Sequence, residues 1–199
     1  MSWKIYMIII SNAGTINTAD IPAKIGETHL KPIREISIHD AQYAEGTSIG
    51  KFGDRIFIAG QKLVLKFYDK SPSDFEKRIC DSFPGSEIAV LTLNGTSNLY
   101  GYSLIKNRMR QRIKYGADLD VYIDYGQKLA EEVVIAKEEL FDREELEEIM
   151  SDNSKEVVEK IIDQEISIRS TLRLSKRYFG KQFDEAGSDF EKLMLTLYE

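Results

Sequence analysis

Residues 5–10 (Ile-Tyr-Met-Ile-Ile-Ile) are apolar at both parities, so residues 3–10 predict a strand covered on both faces, central in a sheet. After it, Ser11-Asn12-Ala13-Gly14 predicts a turn, and residues 11–54 otherwise carry little periodic pattern beyond a short strand near 34–39. Gly50, Gly53 and Asp54 mark turns before a strand at 55–59. Residues 61–68 alternate, with Leu63, Leu65 and Phe67 on one side and Lys62 and Lys66 on the other, which predicts a half-buried strand. Ser71-Pro72-Ser73-Asp74 then predicts a helix start, with Ser71 as cap and Pro72 in the first helical position. Phe75, Ile79 and Phe83 recur every fourth residue as its buried stripe, with Cys80 beside them, and Pro84-Gly85 ends it.

Between 87 and 125 the pattern predicts an antiparallel meander. Residues 88–93 and 99–105 are joined across Asn94-Gly95, and two further strands follow at 108–115 and 119–125. Arg108, Arg110, Arg112 and Lys114 alternate with Met109, Gln111, Ile113 and Tyr115. Asp118, Asp120, Tyr122 and Asp124 alternate with Leu119, Val121, Ile123 and Tyr125. A turn at Gly116-Ala117 would set Lys114 opposite Asp118, Arg112 opposite Asp120 and Arg108 opposite Asp124. Such a charge ladder would contribute about 0.2–1 kcal/mol per pair and help set the register. The four-residue spacing of Ile105, Met109 and Ile113 leaves a helix open as an alternative there.

All four prolines lie at or before Pro84, and the C-terminal third predicts helices. Asp142 caps a short acidic helix that ends near Ser151-Asp152-Asn153. Ser154 caps a longer one with Val157, Val158, Ile161 and Ile162 on its apolar face, and Gly180 is its expected stop. The tail carries two signals. Ser188-Asp189-Phe190-Glu191 reads as a capping box, while Leu193, Leu195 and Leu197 alternate as in a strand, which is the preferred reading for 189–199.

Composition narrows the class. With 42% hydrophobic and 30% charged residues the chain is globular rather than disordered. The single cysteine excludes an internal disulfide and a cysteine-based metal site, and fits a reducing, cytoplasmic setting. The run at 5–10 is too short for a signal-peptide core or a membrane span. Charge is uneven: residues 1–128 carry 17 Lys/Arg against 14 Asp/Glu, and residues 129–199 carry 10 against 19. That acidic balance argues against a nucleic-acid or anionic-membrane binder.

Few residues suggest chemistry. Asp118 and Asp120, two apart on a strand, would point the same way and could bind Mg²⁺ beside a substrate phosphate. With Gly101-Tyr102-Ser103 upstream, the set loosely resembles the glycine-serine and paired-aspartate pattern of nucleotidyltransferases, except that Tyr102 separates glycine from serine. The charge ladder explains the same aspartates without a metal. The basic row beside Tyr100 and Tyr102 could bind single-stranded nucleic acid, but the facing aspartates would cancel much of its field. His29 and His39 have no metal-ligand spacing, and no nucleophile-elbow or phosphate-loop motif occurs.

From Gly53-Asp54 to Gly60, and from Gly101-Tyr102 through Arg110, Arg112, Gly116 and Gly126 to Glu131-Glu132, the chain resembles a bacterial domain of unknown function. The resemblance implies a bacterial source and favours the hairpin; it carries over no activity and no catalytic residue. The expectation is therefore one α+β domain over 1–199, sheet-rich to 128 and helical and acidic from 129. It is expected to be a non-enzymatic binding or regulatory protein, an immunity or defence partner included, that needs no cofactor and meets a protein partner through 129–199. The rival is a metal-dependent nucleotidyltransferase-like enzyme using Asp118 and Asp120.

Overall fold

The computed structural model describes residues 4–199, so Trp3, expected to open the first strand, lies outside the described residues. Along the chain run β1 (Lys4–Ser11), α1 (Ile21–Lys24), β2 (Pro32–Ser37), α2 (Ile38–Ala41), β3 (Thr47–Phe52) and β4 (Arg55–Ala59). Next come α3 (Gln61–Leu65), α4 (Asp74–Ser82), β5 (Glu87–Asn94), β6 (Leu99–Lys106), β7 (Met109–Ala117) and β8 (Asp120–Gly126). The last elements are α5 (Ala130–Ile135), α6 (Arg143–Asp152), α7 (Lys155–Phe179) and β9 (Met194–Tyr198). The fold is α+β. The nine strands among the described residues form one sheet in the order β2-β9-β3-β4-β1-β5-β6-β7-β8, and every neighbouring pair is antiparallel.

β1 lies at the centre of that order, paired with β4 on one side and along its whole length with β5 on the other. Its two parities feed two cores. Ile5, Met7 and Ile9 pack with Leu174, Tyr178 and Phe179 of α7 and with Phe183 and Phe190. Tyr6, Ile8 and Ile10 pack with Leu63 and Val64 of α3 and with Phe75, Ile79 and Cys80 of α4. Helices thus cover both faces of the sheet, which is why a strand apolar at every position is stable here.

Several expectations are corrected. Residues 61–68 open with a helix rather than forming a strand. Leu63, Val64, Phe67 and Tyr68 are the buried positions, a spacing of one, four and five that suits a helical turn better than alternation. The next helix starts two residues late: Ser73, not Ser71, accepts a hydrogen bond from the Glu76 N–H at 3.2 Å, so Pro72 lies outside it. Both signals in the tail are real, since Ser188 caps a single turn at Asp189–Lys192 and β9 follows. β9, the strand preferred for the tail, inserts between β2 and β3, so the end of the otherwise helical C-terminal part joins the sheet.

Candidate functional site

The β7–β8 hairpin forms, but in a different register. Its turn is Asp118-Leu119, both with positive φ (48° and 68°), rather than Gly116-Ala117. Asp tolerates this conformation. The Asn98 side chain donates to Asp118 at 3.1 Å, and the Leu119 N–H donates to Gln164 of α7 at 2.9 Å. Gly116 serves a separate need: a Cβ there would run into the Asp120 carbonyl and the Tyr100 ring and hydroxyl.

Two irregularities break the expected single charged face. Leu104 pairs with Arg112 and Ile105 with Arg110, leaving Gln111 as an extra residue in β7. Tyr115 pairs with Ile123 and Gly116 with Val121, leaving Tyr122 extra in β8. A bulge inverts the parity beyond it, so Arg110 and Arg112 leave the sheet on opposite faces. Lys114 now stands opposite Asp124, and Arg112 opposite Gly126.

On the α5/α7 face lies a buried ionic network. Arg112 is 1% exposed and donates from Nε and an Nη to the two carboxylate oxygens of Glu132, both at 2.8 Å. It also bonds Asp124 and the Tyr125 carbonyl, the latter at 3.0 Å. Lys114, equally buried, reaches Asp163 of α7 at 2.6 Å and Asp124 at 3.7 Å. Glu132 accepts from the Leu129 N–H at 2.8 Å and so also holds the start of α5. Burial pushes the Glu132 carboxyl up, but the hydrogen bonds from Arg112 and the Leu129 amide outweigh it, and its pKa is lowered. For Asp124 burial likewise raises and the Arg112 hydrogen bond lowers, with the same net direction. The Tyr102 ring lies beneath the Arg112 guanidinium, 5.9 Å away, and burial raises its hydroxyl pKa.

On the opposite face Arg110 bonds Glu76 of α4 and donates to the carbonyls of Asp69 (2.6 Å) and Phe67 (3.1 Å). Arg108 pairs with Asp81 at 3.3 Å near the surface. Of the expected ladder, Arg112, Lys114 and Asp124 come together; Arg108, Arg110, Asp118 and Asp120 do not join them. Asp120 lies 3.8 Å from Lys160. The metal reading required Asp118 and Asp120 on one strand face, whereas Asp118 sits in the turn before β8. No group of three or more His, Cys, Asp or Glu able to hold a metal ion occurs among the described residues.

Glu132, Asp163 and Glu76 were not foreseen as partners of the basic row. The available hint was arithmetic, because four cations on 108–114 face only three aspartates on 118–124. Much of the acidic charge after 129 is likewise engaged: Glu131 with Arg177, Glu138 with Arg173, and Glu165 with Arg169. α6 differs. Residues 142–152 hold six carboxylates against Arg143 alone, and none of the ten helix residues is buried. Leu146 and Met150, one turn apart, are 36% and 62% exposed. The first twelve residues of α7, beside α6, also bury none of their side chains, though Val157, Val158, Ile161 and Ile162 are partly covered.

No protein-family model, curated protein or solved structure matches the chain. No helix among the described residues is long and apolar enough to cross a membrane.

Proposed function

We propose that the chain is a non-enzymatic binding or regulatory protein of the bacterial cytoplasm that docks a basic protein partner on α6. The observation that carries this reading is the combination, on one exposed helix and its Asp142 cap, of two apolar side chains at i and i+4 with six surrounding carboxylates. Apolar anchors ringed by like charge suit a groove of opposite charge, in which the anchors supply affinity and the carboxylates supply approach rate and selectivity. The carboxylates elsewhere in the C-terminal part are largely paired within the molecule, which concentrates the free negative charge on α6. A basic effector held by an immunity protein is one such pairing.

The test compares capture by the wild-type chain with capture by a Leu146→Asp/Met150→Asp variant, both surface changes. Basic proteins retained by the wild type, released by raised salt and lost by the variant would support the reading; identical capture by both would overturn it. A thermal-shift titration with nucleoside triphosphates and Mg²⁺ or Mn²⁺ covers the rival. A metal-dependent rise that disappears in Asp118→Ala/Asp120→Ala would replace the binding reading with an enzymatic one.

A further inference from the structure

The far edge of the sheet carries a second surface with the opposite chemistry. Among the described residues β8 has a neighbouring strand on one side only, and six of its seven residues are exposed, so no described helix or loop covers that edge. The other edge strand, β2, begins at Pro32 and has a register irregularity between Pro32 and Arg34, both devices that discourage added strands. β8 carries a bulge at Tyr122, but Ile123–Gly126 beyond it pairs regularly with β7 and has no strand on its other side among the described residues, although the Tyr125 carbonyl accepts from Arg112. Four large apolar side chains are exposed on this one hairpin: Met109, Val121, Tyr122 and Tyr125.

Beside that regular stretch lies a groove of about 410 Å³. Its apolar lining is Ile113, Ile123, Met109 and Tyr125, the last two 62% and 64% exposed. Its cations are Lys70, Arg108 and Arg110. Arg110 is fully engaged with Glu76 and two carbonyls. Among the described residues Arg108, more than half exposed, forms an ion pair with Asp81 at the surface, and Lys70 forms none. The groove therefore joins an apolar floor to two exposed positive charges, Lys70 and the Arg108 that Asp81 meets at its rim, next to a strand edge with no neighbouring strand among the described residues.

We propose that this edge and groove bind an extended acidic segment of a protein partner by strand addition to Ile123–Gly126. Side chains on one face of an added strand recur at every second residue. The expected ligand thus places an apolar residue between Met109 and Tyr125 and a carboxylate two positions away, within reach of Lys70 or Arg108. Single-stranded nucleic acid fits less well, because a phosphate chain needs a continuous row of cations and the groove offers only Lys70 and Arg108 beside the engaged Arg110. This site is separate from α6 and stands or falls independently of it.

The experiment selects short random displayed peptides on the full chain and measures the enriched sequences by fluorescence anisotropy. The expected enrichment is an apolar residue with Asp or Glu two positions away. Binding should fall roughly tenfold in Lys70→Glu/Arg108→Glu, the loss of two exposed ion pairs. It should also fall in Tyr125→Asp and on N-methylation of alternate peptide amides, while Leu146→Asp/Met150→Asp leaves it unchanged. Failure to enrich any sequence, equal binding by the groove variants, indifference to N-methylation, or displacement by an oligothymidine would each overturn the proposal.

Discussion

Replacing Glu132 by Gln removes one charge from the buried network while keeping its shape. The amide oxygen can still accept from the Leu129 N–H, so the start of α5 is retained and the effect isolates the ion pair. Arg112 would stay 1% exposed and keep the Nε bond to that same oxygen, but lose the opposite charge and the second bond, where an NH₂ now faces its Nη; an uncompensated buried charge costs about 3–5 kcal/mol. Asp124 still touches the guanidinium, but its side chain is 45% exposed and only partly offsets the loss. The expected destabilisation is therefore about 3 kcal/mol, at the lower end of that range. In urea, with a slope of about 2 kcal/mol per molar, the midpoint should fall by about 1.5 M. The double variant Arg112→Met/Glu132→Leu should recover most of this, because an apolar pair avoids the desolvation of both charges. The pH dependence follows from the lowered pKa values of Glu132 and Asp124 in the folded state. Their stabilisation is complete above the unfolded carboxylate pKa of about 4 and is lost as pH falls through the folded values. Wild type and Glu132→Gln should consequently converge in acid. A Glu132→Gln midpoint equal to that of the wild type at neutral pH, with unchanged slope, would refute the view that this pair holds α5 to the sheet.

Burial, and next to it the Glu76 charge, push the Cys80 thiol up to about 11, so only about a thousandth of it is thiolate at pH 8. Ellman's reagent should then react only as fast as the chain opens, and rapid native-state labelling would contradict the packing of α4. Burial raises the hydroxyl pKa of Tyr68, Tyr100, Tyr102 and Tyr178. Their contribution is fully present below the unfolded tyrosine pKa of about 10 and is lost as pH rises towards the folded values. Absorbance titration should therefore show these four ionising together with alkaline unfolding, and independent ionisation in the native state would speak against it. Gly126 has φ of 92°, and a Cβ there would run into the Gln111 carbonyl. Gly126→Ala should cost at least about 2 kcal/mol in chemical denaturation, and a neutral result would show that the bulge at Gln111 relaxes freely.

The sequence by itself determined what depends on local periodicity and end chemistry. The doubly apolar run at 5–10 specified a central strand, and the alternation after 108 specified a hairpin with one strand basic and the next acidic. Ser154, Asp142 and Gly180 set helix ends because a short oxygen-bearing side chain or a glycine meets the unpaired backbone groups there. Tertiary structure decided the rest. Residues 61–68 fit two periods, and packing of Val64 and Tyr68 under the sheet selected the helix. The extra residues Gln111 and Tyr122 each reverse the parity of what lies beyond them, so the basic row divides between two faces. No local pattern marks where a single residue is left out of a ladder. The true partners of those cations, Glu132, Asp163 and Glu76, sit on three different helices as far as 49 residues away in sequence. A buried cation must find a carboxylate wherever the fold brings one, and that proximity exists only once the helices have packed on the sheet.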